Sequence, residues 1–281
     1  MRLRPDEVDL VIYHDSCTDG FGAAFAAWLA RGNKAEYVSA KYNEPPPDVT
    51  GKNVLIVDFS FRRKVLLEMA SKARSILVLD HHKSAMEELQ DLDFVHFDMT
   101  CSGAMLSWSF FHPDEHPPLM IRYIQDRDLW QWRLPNSREF SAGLLNVPFD
   151  FEEYRRYTQD SAVQLLINEG AGIVRYIDRE VKNLCVHAAE CRLQVAPDLK
   201  CMVINTSSWV SEVGSRLCED ADAAIIWYYD HKTHRCRVSM RSRSSVDVAE
   251  IAKHYGGGGH AQAAGFTLGS CDNIERILLR D

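Results

Sequence analysis

The segment SILVLDHH, residues 75–82, decides the fold of this chain more than any other stretch. Its apolar residues are typical of a buried strand, and the run stops abruptly at Asp80, His81 and His82. A carboxylate and two imidazoles at one strand end can bind a metal ion or handle protons, and α/β enzymes keep such groups at the carboxyl edge of the sheet. An ordinary polar strand end could hold the same residues, so the rest of the chain has to decide.

Two other predicted strands end in the same kind of residue. The apolar run 8–13 leads to His14 and Asp19, and the run 54–57 leads to Asp58. Helical patterns separate these runs, which predicts a parallel sheet with helices on both faces. Because the carboxyl ends of parallel strands lie side by side, the polar side chains should converge.

The converging groups predict the kind of ion. Mixed oxygen and nitrogen ligands with several carboxylates suit Mn²⁺, or Mg²⁺, Co²⁺ or Fe²⁺. Two ions about 3.5–4 Å apart would need a bridging carboxylate, and Asp58 is the natural candidate.

A helix end after this region offers two further carboxylates. Asp126 and Asp128 flank Arg127, and one of the two is predicted to be a ligand, the alternative being charge pairing with Arg127. Trp130 and Trp132 follow directly; they could stack on a base or simply pack within the protein.

The bulk composition predicts two globular domains. The chain has 281 residues, of which 46% are hydrophobic and 26% charged. We predict an α/β protein: an N-terminal parallel-sheet domain at 1–160, a helical linker at 161–190, and a smaller α/β domain at 191–281. Gly170 and Gly172 suggest a bend or break in the linker.

Charge and cysteine usage limit the partners and the compartment. The net charge of −8 argues against binding a long nucleic-acid duplex. The sequence shows no export signal and no apolar segment long enough for a membrane span, and the eight cysteines contain no C-x-x-C pair. We therefore expect reduced thiols, a cytoplasmic location and no membrane partner, while a homodimer stays open.

The C-terminal part contains a glycine run next to positive charge. Four glycines precede His260, and their backbone N–H groups could form a concavity for a phosphate, although such a run could also be a flexible loop. Residues 231–260 hold six Lys or Arg against two acidic residues. This local excess favours a small anion rather than a duplex.

Together these motifs resemble those of the DHH phosphoesterases, which include RecJ-like exonucleases, nanoRNases and cyclic-dinucleotide phosphodiesterases. The resemblance covers nearly the whole chain. Its tail, residues 256–266, resembles the DHH-associated C-terminal domain. The residues that carry it in the first part of the chain are His14, Asp19, Gly20, Asp58, Asp80, His81 and His82.

The resemblance implies a role for each matched position. The implied metal ligands are His14, Asp19, Asp58 and His81, with Asp126 or Asp128 completing the second ion. His82 is expected to touch the scissile phosphate, and Asp80 to orient an imidazole from behind. The residues expected to hold the substrate are Arg241, Ser242, Gly257, Gly258, Gly259 and His260.

One position departs from the family pattern. The first motif usually carries two aspartates two residues apart, and Cys17 stands in place of the first. Asp15 could substitute, Cys17 could ligate a softer ion as a thiolate, or one metal site could be weak. Cys17 could equally be an unliganded small residue in a loop.

The implied function is hydrolysis of phosphodiester or phosphomonoester bonds in short oligonucleotides or small nucleotides by water activated between two metal ions. A cyclic (di)nucleotide phosphodiesterase is an alternative. An inorganic pyrophosphatase or polyphosphatase would use the same ligands, but the glycine-rich tail speaks against it. A non-catalytic nucleotide sensor has only Cys17 in its favour.

Overall fold

The structure is a computed structural model that describes residues 3–42 and 44–279. It divides into two compact units, Met1–Val174 and Arg175–Asp281. The division falls inside the predicted linker, and the predicted domain limits remain predictions. Within the described ranges, no helix combines the length and apolar character needed to cross a bilayer.

The first unit alternates strands and helices as predicted for an α/β domain. Its strands are β1 (Leu10–His14), β2 (Glu36–Ala40), β3 (Asn53–Val57), β4 (Ser75–Asp80) and β5 (Val95–Phe97). Its helices are α1 (Thr18–Arg31), α2 (Arg63–Lys72), α3 (Lys83–Leu89), α4 (Gly103–Phe111), α5 (Leu119–Asp128), α6 (Ser137–Leu144) and α7 (Phe151–Arg156). Helix α8 (Asp160–Cys185) begins in this unit, and its last residues belong to the second. Two short 3₁₀ turns, Pro5–Glu7 and Gly32–Lys34, precede β1 and β2.

In the described part of this unit, the five strands form one sheet in the order β2-β1-β3-β4-β5, and every neighbouring pair is parallel. The apolar side chains of β1, β3 and β4 are buried, which explains why these strands are continuous hydrophobic runs in the sequence. The order reverses direction between β1 and β3, and open α/β sheets bind ligands beyond the carboxyl ends of the strands at such a point.

Helix α1 packs closely because it carries small residues. A Cβ at Gly22 would lie 3.0 Å from Ile124 of α5 and 3.1 Å from Ala104 of α4. At Gly20 a Cβ would overlap the carbonyl oxygen of His14. The glycines therefore let the start of α1 lie directly against the end of β1.

The expected break in the linker is wrong. Helix α8 is continuous from Asp160 to Cys185 and runs through both glycines. A Cβ at Gly170 would overlap the carbonyl oxygen of Glu139, and one at Gly143 would overlap that of Leu166. Gly170 thus allows α6 and α8 to pack backbone to backbone.

The second unit is a sheet with helices, as predicted, and its pairing is mostly antiparallel. Among the described residues the sheet has seven strands in the order β10-β11-β9-β8-β7-β6-β12, with β7 and β8 parallel. Its strands are β6 (Ala189–Leu193), β7 (Ala196–Asn205), β8 (Ala223–Asp230), β9 (Arg235–Ser242), β10 (Gly258–His260), β11 (Ala263–Leu268) and β12 (Leu278–Leu279). Its helices are α9 (Val210–Leu217), α10 (Val248–His254) and α11 (Asp272–Ile277).

The glycine run lies in a tight hairpin rather than in an open loop. The N–H groups of Gly256 and Gly257 donate to Lys253 and Ala252 at the end of α10 (both 2.9 Å), and β10 then pairs with β11. The prediction that the N–H groups of all four glycines form a concavity for a phosphate is therefore wrong for Gly256 and for Gly257. Gly259 has a φ of 142°, a conformation that a side chain would disfavour.

Candidate metal centre

Three strand ends meet at one level of the first sheet. Tyr13 of β1 lies beside Val57 of β3, and Val57 lies beside Leu79 of β4. The next residues along these strands are His14, Asp58 and Asp80. The register alone therefore places an imidazole and two carboxylates side by side.

Asp58 occupies the middle of this group. It is 1% exposed and has a φ of 54°, which is uncommon for a non-glycine residue and typical of functional sites. Its Oδ1 lies 3.1 Å from His81 Nε2, and its Oδ2 lies 3.7 Å from His14 Nδ1. Although burial opposes it, these imidazoles lower the pKa of Asp58.

Asp19, in the first turn of α1, faces the same point. Its carboxylate accepts hydrogen bonds from the N–H groups of Gly103 (2.5 Å) and Ala104 (3.1 Å) at the start of α4, and Oδ2 lies 3.6 Å from His81 Nε2. A helix N-terminus favours an anion, so α4 holds this side chain in place. Burial, followed by the nearby Asp128 and Asp58, raises the pKa of Asp19.

His81 joins the carboxylates. Its Nε2 lies 3.5 Å from Asp128 Oδ2, in addition to its contacts with Asp19 and Asp58. Burial opposes protonation, but the three carboxylates raise the pKa of His81 to about 10. Burial raises the pKa of Asp128 to about 6. The four groups form a buried cluster with an excess of negative charge.

Of the two predicted alternatives at the end of α5, the structure brings Asp128 to this cluster and turns Asp126 elsewhere. The Asp126 carboxylate accepts hydrogen bonds from the N–H groups of Arg133 (2.9 Å) and Leu134 (3.2 Å). Asp126 therefore anchors the following loop, and of the two alternatives Asp128 is the one that lies beside His81.

Cys17 also lies at the centre. His14, Cys17 and Asp58 each contribute one possible ligand atom, and these three atoms lie within 4.8 Å of one another. Burial and the surrounding aspartates raise the pKa of the Cys17 thiol. Asp15, one of the alternatives for the missing aspartate, contacts Lys41 (3.0 Å) and Ser16 (2.7 Å).

Asp80 and His82 form a separate pair beside the cluster. Asp80 is fully buried; its Oδ1 lies 2.7 Å from His82 Nδ1, and its Oδ2 accepts a hydrogen bond from Ser60 Oγ at 2.5 Å. Burial opposes the effect, but Asp80 raises the pKa of His82. The predicted orienting role of Asp80 agrees with this geometry, and Ser60 is an additional contact that the sequence analysis did not assign.

Two aromatic residues that the sequence analysis did not assign pack against His14. Phe59 is stacked on the imidazole with ring centroids 5.8 Å apart, and Tyr42 contacts it edge to face at 5.5 Å. Phe59 follows Asp58 directly, which is the one sequence signal that could have indicated a role. The two rings limit the orientations open to His14.

The residues fit a divalent metal centre of the kind that the DHH resemblance implies. Asp58 Oδ2 and Asp128 Oδ2 are buried without a hydrogen-bond partner in the described structure, which is costly unless a ligand satisfies them. Asp58 belongs to each of the three groups of clustered ligand atoms in this unit, as a bridging carboxylate would. Those groups are His14, Cys17 and Asp58; Asp19, Asp58 and His81; and Asp58, Asp80 and His82.

The predicted substrate residues of the second unit are placed as follows. Arg241 on β9 donates to Ser211 Oγ and to the Met240 carbonyl oxygen (both 2.8 Å), and burial lowers its pKa. Ser242 Oγ donates to the Val246 carbonyl oxygen at 2.7 Å, which is a contact within the unit. His260 ends β10 and is half-buried, as are Gly258 and Gly259.

Comparison with known proteins agrees with this architecture. The DHHA1 domain model matches residues 204–280. An uncharacterized protein of Acanthamoeba polyphaga mimivirus is 29% identical over 94% of this chain and 68% of its own length. Oligoribonuclease NrnB of Bacillus subtilis is 24% identical over 92% of this chain and 72% of its own length.

Among solved structures, a pGpG-specific phosphodiesterase of Vibrio cholerae has the same fold. The TM-score is 0.52 with 14% identity, and the match covers 96% of both chains. Fold and site together define a two-unit α/β protein with a carboxylate–imidazole centre at the edge of its parallel sheet. The C-terminal part of this chain matches the DHHA1 domain, and the comparisons support the resemblance of the whole chain to the DHH phosphoesterases.

Proposed function

We propose that this protein is a Mn²⁺-type phosphoesterase that hydrolyses phosphodiester bonds in short oligonucleotides. The observation that carries the proposal is the buried cluster of Asp19, Asp58, His81 and Asp128, in which two carboxylate oxygens have no hydrogen-bond partner in the described structure. Oxygen-rich ligand sets with an imidazole suit Mn²⁺ and related ions.

The names of two similar proteins support the substrate class. NrnB is an oligoribonuclease, and the Vibrio protein acts on pGpG, a linear dinucleotide. A small substrate also agrees with the net charge of −8, which opposes binding of a long polyanion. We propose that the substrates are di- to oligonucleotides, with cyclic dinucleotides as the second candidate.

The proposed mechanism gives each side chain a task. Bound ions would supply an activated water and neutralise charge on the phosphoryl group. His14, Asp19, Asp58, His81 and Asp128 would hold the ions. His82, which Asp80 orients and whose pKa Asp80 raises, would donate a hydrogen bond to the phosphoryl oxygens as negative charge develops.

We also propose that Arg241 and His260 hold the rest of the substrate. Two donors of the Arg241 guanidinium are fixed by Ser211 and by the backbone, so the group is preorganised to present its remaining donors. Arg241→Ala should raise KM for a dinucleotide far more than KM for a generic chromogenic phosphodiester. Equal effects on the two substrates would remove Arg241 from this role.

The deciding experiment is a Mn²⁺-dependent assay with a panel of di- to decanucleotides, cyclic dinucleotides and pyrophosphate. We expect mononucleotide release from the short linear substrates and loss of that activity in Asp58→Asn. Preference for pyrophosphate would instead identify a pyrophosphatase. Binding of nucleotides without turnover would identify a sensor.

A further inference from the structure

A strained loop follows the proposed metal centre directly. We call residues 129–136, which connect α5 to α6, the tryptophan loop. Trp130 and Trp132 both have a φ of 53°, in the left-handed region that bulky residues rarely adopt. Two such residues in one short loop require that its surroundings impose the conformation.

Asp126 supplies much of that constraint. Its carboxylate accepts the N–H groups of Arg133 and Leu134, and its carbonyl oxygen accepts the N–H of Gln131 at 2.8 Å. At the far end of the loop, the hydroxyl of Tyr123 donates to the carbonyl oxygen of Pro135 at 2.7 Å. The loop is therefore fixed at both ends before any ligand binds.

The loop displays an aromatic pair at the surface. The rings of Trp130 and Trp132 meet edge to face with centroids 4.9 Å apart, and Trp130 is 37% exposed. In this anchored backbone, Trp130 presents part of its ring to solvent, where a planar ligand can reach it. Trp130 lies two residues after Asp128, whose carboxylate reaches His81.

We propose that the tryptophan loop is a base-stacking platform on which Trp130, braced by Trp132, binds a nucleobase of the substrate. Stacking on an aromatic ring tolerates every base because each base has a π face, which suits an enzyme that acts on short nucleic acids of varied sequence. This inference rests on the proposed function for its substrate class. It adds a site for the base to the site for the phosphate.

Tryptophan fluorescence tests the platform without requiring turnover. The intact protein, with and without Mn²⁺, is titrated with adenosine monophosphate and, as the base-free probe, with ribose 5-phosphate. We expect the nucleotide to quench the emission and ribose 5-phosphate to leave it nearly unchanged. Trp130→Ala should remove most of the quenching and weaken nucleotide binding, measured by calorimetry, about tenfold.

Two further variants complete the test. Trp130→Phe keeps a smaller ring and should retain part of the affinity while losing the quenching signal. Trp28→Phe is the matched control: Trp28 is a half-buried tryptophan near the far end of α1, stacked on Phe151, and its replacement should leave nucleotide affinity unchanged. Circular dichroism would establish that all three variants are folded.

Several outcomes would overturn the platform. They are unchanged affinity in folded Trp130→Ala, equal quenching by ribose 5-phosphate, or no quenching by any nucleotide. The proposed function fails differently, through absence of hydrolysis by the wild-type protein. Nucleotide-specific quenching without hydrolysis would therefore support the platform and reject the enzyme.

Discussion

Asp126 and Asp128 lie two residues apart and have the same side chain, but their carboxylates contact different groups. Asp128 points an unsatisfied oxygen at His81, whereas Asp126 is satisfied by two backbone N–H groups. An unsatisfied buried carboxylate costs stability and is worth keeping only for a ligand, while a satisfied one contributes to the fold. The two residues should therefore separate metal binding from stability.

We expect opposite phenotypes from substitutions at these two positions. Asp128→Asn should abolish most of the Mn²⁺-induced stabilisation without lowering the metal-free stability, because it removes one buried negative charge beside Asp19 and Asp58. Asp126→Ala should lower the metal-free stability by about 1 kcal/mol for each of the two hydrogen bonds that it removes, and keep the Mn²⁺-induced shift. Urea unfolding with a chelator and with Mn²⁺ measures both; the reverse pattern would contradict the assignment.

Cys17 offers a second test at a single residue. Because its thiol lies with His14 and Asp58 in one ligand-sized group, Cys17→Asp should retain or raise Mn²⁺-dependent activity by adding a harder ligand. Calorimetry with Mn²⁺ and an assay on a dinucleotide are the measurements, with Cys17→Ser as the size-matched control. Abolished activity in folded Cys17→Asp would show that the thiol has a specific role.

Sequence reasoning found the residues of this centre but could not assign all of them. His14, Asp58, Asp80 and His81 follow from strand ends, since the sheet register fixes their level. The choice between Asp126 and Asp128 depends on where α5 ends and which loop follows it. The end of α5 and the path of the following loop cannot be predicted from the neighbouring sequence alone.

At the scale of elements, the start of α4 is built around the centre. A Cβ at Gly103 would overlap the Cβ of Asp58 and lie 2.9 Å from Asp19 Oδ2. The absence of a side chain at Gly103 lets the helix N-terminus reach both aspartates. The positions of α4 and of the ligands thus depend on each other.

Gly103→Ala should consequently damage the site as well as the fold. Overpacking of this kind costs about 1–3 kcal/mol, and displacement of Asp58 should also reduce the Mn²⁺-induced shift in unfolding temperature. Gly269→Ala is the control, because a Cβ there would meet nothing within 4 Å. Equal effects of the two substitutions would rule out a special role for the helix start.

Strands β2 and β10 show why some elements leave no clear pattern in the sequence. Strand β2 lies at the edge of its sheet and is only partly buried, so its residues lack a continuous apolar run. Strand β10 has three residues, two of them glycine, and forms because β11 pairs with it. Long buried strands such as β3 were predictable because burial on both faces leaves a hydrophobic run.

At the scale of the whole molecule, the five ligands that we propose for the metal centre belong to the first unit, and the excess of basic residues at 231–260 belongs to the second. The five ligands are His14, Asp19, Asp58, His81 and Asp128. Length predicted two domains, and the alternation of strand-like and helical patterns predicted the α/β class. The antiparallel order of the second sheet was not predictable, since it depends on pairings between strands that are distant in sequence.

Metal binding should therefore be visible in one unit. Hydrogen exchange measured by mass spectrometry should show Mn²⁺-dependent protection around Asp19, Asp58, His81 and Asp128, because a ligand stabilises the state that binds it. Strands β8 and β9 serve as the internal reference and should exchange at the same rate with and without the ion. Protection confined to the second unit would contradict the location of the centre.

The carboxylate of Asp19 closes the first turn of α4 and faces His81 at the same time. A substitution at Asp19 would therefore lower the amount of folded protein as readily as it would lower the activity of the folded enzyme. Genetic screens that score only lost activity would confuse the two effects at Asp19, whereas they would separate them at Asp128. In relatives that have lost catalysis but kept the fold, we expect Asp128 to be substituted early and Asp19 to be retained.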